Sequence, residues 1–270
     1  MNITKLQRFF FAPIAVTLSL LVTPVIAAEP TGFRLSYDIY VAGIYSMKAD
    51  LLVAMDRESY SVELHMEKDG LPAFFSPMFT VDATARGSRD EERFKPHYFR
   101  TEYRKEKKFR WSEVSHGEDA SALMASPDPV QDDEREAIAE DLRRQSFDPL
   151  SSFAWMLERA ENRNDCTARE LVFDGRRLYD MTIEHLPEKG SDGSFFCEMR
   201  LDWMAGFTDK ERRQAPYPDG LKFTLVRAYD GGPIIPRLIE AKIGMGDVRV
   251  ELDKVSRLSP EQVAERLPSQ

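Results

Sequence analysis

Apolar and polar side chains alternate with a period of two along most of this chain, as in strands that bury one face. In "GFRLSYDIYVAGIYS", Phe33, Leu35, Tyr37, Ile39 and Val41 share one parity, while Arg34, Ser36 and Asp38 take the other. Ala42-Gly43 permits a turn or bulge. The pattern then resumes with Met47, Ala49, Leu51, Val53 and Met55, and again after "DRES" with Tyr60, Val62, Leu64 and Met66. These three segments read as an antiparallel meander. Further strands are expected at about 78–87, 96–104, 108–116, 171–173, 176–185, 194–203, 221–229, 234–243 and 246–254. So many short strands force a sheet to curl or close. The expected fold class is mainly β: a strongly curved antiparallel sheet, an open or partly closed barrel, with one main packed helix.

That helix is placed in "FDPLSSFAWMLERA". Asp148 is the N-cap, Pro149 takes the first helical position, and Leu150, Phe153, Ala154 and Leu157 recur on one face. The charged stretch "QDDEREAIAEDLRRQ" reads as a surface helix or loop, since Ile138 and Leu142 offer little to bury, and "ASPDPVQDD" before it reads as a loop. "SPEQVAERL" fits a short capped helix. In "ELVFDGRRLYDM", Asp174-Gly175 signals a two-residue hairpin turn, which would set Phe173 opposite Arg176 and Val172 opposite Arg177. Asp174, Arg176 and Arg177 then read as turn residues and a solvated edge rather than a reactive cluster.

The amino terminus adds a compartment. Lys5 and Arg8 precede the apolar run "FFFAPIAVTLSLLVTPVIA", and Val25-Ile26-Ala27 or Ile26-Ala27-Ala28 supplies small residues for cleavage. This is the pattern of a secretory signal peptide over 1–27. Residues 28–270 are then expected to form a single β-rich periplasmic domain whose mature chain begins at Ala28 or Glu29. No later segment approaches a transmembrane length. Without the two basic residues of the leader, 35 Lys and Arg stand against 46 acids, a net charge of −11. That balance argues against nucleic acid as a partner, because phosphate binding is driven by a basic face.

Two cysteines in an exported chain point to one disulfide, with buried free thiols or a redox pair as the alternatives. Cys166 and Cys197 would close a loop of about 30 residues, stabilising by on the order of 3–4 kcal/mol. There is a geometric tension. If the hairpin through Asp174-Gly175 ran its full length, Cys166 and Cys197 would flank one strand from opposite sides, roughly 9–10 Å apart and beyond disulfide reach. Strand pairing is therefore expected to stop near Arg169, freeing "NRNDCTA" to reach Cys197.

Taken together, "YDIYVAGI", the helix opening "FDPLSSF", Cys166 followed by "LVFDGRRLYDM", and "FFCEMRLDWMAGF" resemble the bacterial exported proteins grouped as domain-of-unknown-function family 3108. The resemblance extends over most of the mature chain. It implies a β-rich envelope protein of Gram-negative bacteria with no assigned activity, and so no catalytic residues to carry over. The acidic insert at about 127–141 departs from the pattern.

The four histidines, His65, His97, His116 and His185, fall on separate segments without metal-ligand spacing, and neither a Gly-x-Ser-x-Gly elbow nor a phosphate-cradling glycine loop is present. No catalytic residue, metal ligand or cofactor is expected. Two stretches are candidates for binding. Phe74, Phe75, Met78 and Phe79, set where the alternation breaks down, suit either the apolar rim of a ligand cleft or a core plug at the end of the sheet. Arg104, Lys105, Lys107, Lys108 and Arg110, interleaved with Tyr103, Phe109 and Trp111, suit contact with an anionic surface or else a solvated hairpin. The function expected is a non-catalytic periplasmic envelope protein with an apolar cleft for lipid or lipidated cargo. A scaffold for another envelope protein without a small ligand comes second, and an envelope hydrolase third.

Overall fold

A computed structural model of the chain describes residues 31–70, 78–90, 93–117, 121–129, 134–190, 192–214, 220–244 and 246–268. The expected leader, and Phe74 and Phe75, lie outside the described residues.

The first meander comprises β1 (Thr31–Val41), β2 (Ile44–Met55), β3 (Ser59–Lys68), β4 (Phe79–Arg89), β5 (Phe94–Lys105), β6 (Lys108–His116) and β7 (Ser121–Ser126). Two helices follow, α1 (Glu140–Gln145) and α2 (Pro149–Arg163). The second meander is β8 (Ala168–Phe173), β9 (Leu178–Lys189), β10 (Phe195–Ala205), then α3 (Asp209–Gln214), β11 (Leu221–Arg227), β12 (Ile234–Ile243) and β13 (Gly246–Arg257), closed by α4 (Pro260–Arg266). Pairing of β1 with β13 joins the meanders into one 13-stranded antiparallel sheet whose outermost strands are β7 and β8. The sheet is curved and not closed by a ladder between those edges.

Local chemistry explains the turns. Val41 pairs with Ile44, leaving Ala42 and Gly43 as a two-residue connection with φ of 50° and 79°. Positive φ at both positions defines the type I′ turn, whose twist matches that of the strands it joins. The β8–β9 hairpin departs from expectation. Phe173 pairs with Leu178 and Val172 with Tyr179, two residues out of the expected register. The cause is Asp174, whose Oδ1 accepts from the N–H groups of both Arg176 (2.8 Å) and Arg177 (2.7 Å) and so organises a four-residue loop.

Helix α2 lies in the concavity, touching β3, β4, β5, β8 and β12. Asp148 caps it, accepting from Leu150 N (3.0 Å) and Ser151 N (2.8 Å). Its first half packs with Leu35, Val53, Val62 and Phe99 through Leu150 and Ala154. Its second half packs with Val172, Met181, Ile183 and Leu225 through Met156, Leu157 and Ala160. Each such side chain taken fully out of water contributes about 1.5–3 kcal/mol if large. Two acids on the helix hold the two meanders. Glu158 pairs with Arg89 of β4, while Glu161 accepts from Arg227 (2.7 Å) and from Ile234 N (2.8 Å).

Three other expectations are corrected. The segment before α2 is not a polar appendage: Ile138 and Leu142 pack against the core, and only residues 140–145 are helical. Strand β7 and helix α3 were not anticipated. Helix α3 nevertheless carries a legible start signal, since Thr208 Oγ1 accepts from Glu211 N and the Glu211 carboxylate accepts from Thr208 N, both at 3.1 Å.

Candidate functional site

The two ends of the sheet meet at the β8–β9 loop. Ser112 Oγ of β6 donates to the Asp174 carbonyl (3.3 Å), and Arg176 Nη2 donates to the Trp111 carbonyl (3.2 Å). Gly175, with φ of 89°, rests so close to β6 that a Cβ there would lie 2.3 Å from Ser112 Oγ. A glycine is required for both reasons.

Beside this contact a cleft of about 280 Å³ opens on the concave face. Its floor is the inward parity of β3, β4 and β5, with Leu64, Val81, Ala83, Phe99 and Tyr103, and Leu150 of α2 forms one wall. Leu64, Val81 and Tyr103 remain half-buried, whereas Val62 (0 %) and Ala85 (0 %) farther along the same faces are sealed. Arg110, Arg176 and Arg177 line the other side, with Asp174 among them.

The cations are not equivalent. Arg177 donates to Glu211 Oε1 (2.6 Å), and Arg135 grips the same carboxylate with both guanidinium ends (3.0 and 3.2 Å). Burial alone would raise the Glu211 carboxyl, but the bonds from Arg177, Arg135 and Thr208 N outweigh it and bring the carboxyl down to about 2. Phe207 packs under this group, stacked on Trp203 at 4.3 Å with Tyr179 edge-on at 5.5 Å. Asp174 is pushed above the usual carboxylate range by burial, against the pull of Arg177 and two backbone N–H groups. Its Oδ2 accepts from Tyr179 Oη (3.3 Å). The cluster is thus a partnered network bracing the seam, and the expectation of a solvated edge is corrected. Arg176 and Arg110, by contrast, form no ion pair among the described residues.

The basic stretch on β5 and β6 divides between faces. Arg104 pairs with Glu102 and stands over the Phe109 ring at 5.1 Å. Lys105, Lys108 and Arg110 share the inward parity with Tyr103, and Lys107 sits at the turn beside Glu106 (φ 50°). Arg110 therefore joins Arg176 across the seam instead of its sequence neighbours. Of the aromatic stretch, Phe79 is half-buried at the start of β4 and Met78 is 53 % exposed. Both are near the cleft strands, but neither lines the cleft.

Cys166 and Cys197 form a disulfide with Cα atoms 6.4 Å apart. The ladder begins at Ala168, opposite Ile183, so Cys166 leaves the strand and reaches β10 as anticipated. A disulfide points to an oxidising compartment. Among the described residues no helix is long and apolar enough to cross a membrane, and no group of three or more His, Cys, Asp or Glu stands together to hold a metal ion. A wider groove of about 920 Å³ lies between the β4–β5 connection and the segment that leads into α2, with Arg93, Lys95, Asp90 and Glu170 of mixed sign along it.

No curated protein matches this chain. Among solved structures, it is similar to a beta-barrel-like protein of domain of unknown function DUF1849 from Brucella abortus, with 15 % identity, 86 % of this chain and 100 % of that chain covered, and a TM-score of 0.47. A family model, "Protein of unknown function (DUF3108)", matches residues 36–189. The match stops short of "FFCEMRLDWMAGF", the last of the resembling stretches, but it runs from the middle of β1 through both edge strands and α2, and includes all the residues that face the cleft. With more than half of its 270 residues matched, the chain belongs to the DUF3108 family.

Proposed function

We propose that this chain is a non-catalytic protein of the Gram-negative periplasm that holds an apolar, lipid-like ligand in the concave cleft between β3–β6 and α2. The observation that carries the reading is the half-buried row of Leu64, Val81 and Tyr103, apolar surface that points inward yet is left uncovered by the one long helix. Pockets that combine an apolar floor with a few convergent polar groups are the usual form of small-molecule sites. The Cys166–Cys197 bond supports an exported location. Asp174, the half-buried acid that lines the cleft, has its oxygens taken up by backbone N–H groups and Tyr179, which fits a loop-forming role better than acid–base catalysis.

The test is saturable binding of an apolar fluorescent probe to the wild-type protein, with Val81→Asp weakening it while the far-UV circular dichroism spectrum is retained. A wild-type protein that takes up no probe would sink the proposal. A scaffold role is the second reading, favoured by the outermost strand β7, where Met124 is 53 % exposed and a partner strand has an edge to join.

A further inference from the structure

The cleft is apolar along its floor and cationic along one side, and the two characters are kept apart. Leu64 and Val81 come from the middle of the first meander, whereas Arg110 and Arg176 come from the two sides of the seam. In a chain of net charge −9, two arginines that form no ion pair among the described residues stand at one pocket wall, with Asp174 the one acid beside them. Arg177 and Arg135 share the Glu211 carboxylate, and Arg177 also stands 3.9 Å from Asp174. Arg176 donates to a neutral carbonyl, and burial together with the nearby Arg135 and Arg110 outweighs the pull of Asp174 and makes its charge costly to hold. Guanidinium groups keep their proton, so the site is relieved by an anion brought from outside rather than by deprotonation. Size narrows the ligand further. At about 280 Å³ the cleft lies just below the usual range for small-molecule sites, about 300–1,000 Å³, which suits one acyl chain and not a multi-chain lipid.

We infer that the ligand is a single-chain amphiphile with an anionic head, its chain on Leu64, Val81 and Tyr103 and its head between Arg110 and Arg176. This rests on the apolar-cleft reading and adds the headgroup chemistry to it. The head would accept charge-assisted hydrogen bonds from both guanidinium groups. It would thereby link β6 to the β8–β9 loop, across the place where the sheet does not close by a ladder.

The experiment is calorimetric titration of the full chain with dodecanoate, dodecanol and inorganic phosphate, repeated for Arg110→Gln and Arg176→Gln. Wild type is expected to bind dodecanoate at least roughly tenfold more tightly than dodecanol, and either substitution should reduce that ratio to within about twofold. Arg176 also supports the Trp111 carbonyl, so its variant is judged beside Arg110→Gln, whose side chain is exposed and forms no hydrogen bond or ion pair among the described residues. Equal binding of acid and alcohol, or a ratio insensitive to both substitutions, overturns the anionic head and leaves the apolar cleft standing. Phosphate binding as tightly as dodecanoate overturns the acyl chain. Failure of both dodecyl compounds to bind overturns the cleft itself.

Discussion

Two transverse rows of side chains cross the same five strands on the same concave face. One runs Val114, Phe99, Ala85, Val62, Val53, and its members are 0–2 % exposed. The other runs Arg110, Tyr103, Val81, Met66, Ala49, four residues along each strand and so roughly 13 Å away. Its Tyr103, Val81 and Met66 are half-buried and Arg110 is exposed. The alternation is the same in both rows, and so is the sheet. What differs is the cover: α2 starts at Pro149 and runs from there over the first row and away from the second. Strand periodicity decides which face a residue takes, and the placement of one helix decides whether that face becomes core or cleft.

The comparison breaks most visibly under charge. Val62→Asp would put an unpaired carboxylate into the sealed row and is expected to cost more than about 4 kcal/mol, unfolding the protein. Val81→Asp, in the open row, is expected to stay within about 1 kcal/mol of wild type. Urea denaturation midpoints measure both, and equal losses would mean that the two rows are equally buried. Next in size is the disulfide, which closes a 31-residue separation under the last turns of α2. Replacing Cys166 and Cys197 together by Ala should lower stability by about 3–4 kcal/mol. Because the cleft lies at the other end of the helix, the folded variant should still take up apolar probe, and loss of uptake would show that the two regions are not independent.

A smaller effect than loss of the disulfide is a dependence on pH, at the start of α2. Burial pushes the Asp148 carboxyl up to about 6, against hydrogen bonds from Ser151 and the Leu150 N–H, while an unfolded Asp titrates near about 3.9. Between these values the folded state holds the proton more tightly. Stability from this group is therefore fully present below about pH 4 and falls as pH rises toward 6, by on the order of 2–3 kcal/mol. Glu211 acts in a separate window: its depressed carboxyl contributes stability above the unfolded value near about 4.3 that is lost as pH falls toward 2. Asp148→Asn keeps a capping oxygen and is expected to flatten the 4-to-6 slope relative to wild type, read from denaturation midpoints across that range. An unchanged slope would assign it to other carboxyls.

Features that depend on nearby residues were legible in the sequence. The β1–β2 turn follows from Ala42-Gly43, and α2 follows from Asp148, Pro149 and the apolar positions after them. The disulfide was legible through its geometry, because pairing had to end before Cys166 for the bond to form. The Asp174-Gly175 loop shows the limit. The dipeptide marks a turn, but two extra residues enter it because the Asp174 side chain binds both following N–H groups, and this shifts the register by two. The partners of Arg177 and Arg176 lie beyond any local window: Glu211 is 34 residues away and Trp111 is 65. Strand β7 is six residues long, ends just before Pro127, and presents too brief an alternation to register. Arg110 looked like part of a basic run, and only the curvature of the sheet makes it a neighbour of Arg176.

One consequence of the strand order concerns how the chain gets to this fold. Among the described residues, every ladder except one joins strands that follow each other along the chain, with α3 intervening only between β10 and β11, so their partners are close in sequence. The exception is β1 with β13, where Phe33 meets Arg257, 224 positions later. Bringing such distant segments together carries a length-dependent loop-closure entropy on the order of 5 kcal/mol. The non-local entropy of the sheet ladders is thus concentrated in a single pairing at the middle of the sheet, flanked on both sides by hairpins that form from short-range contacts.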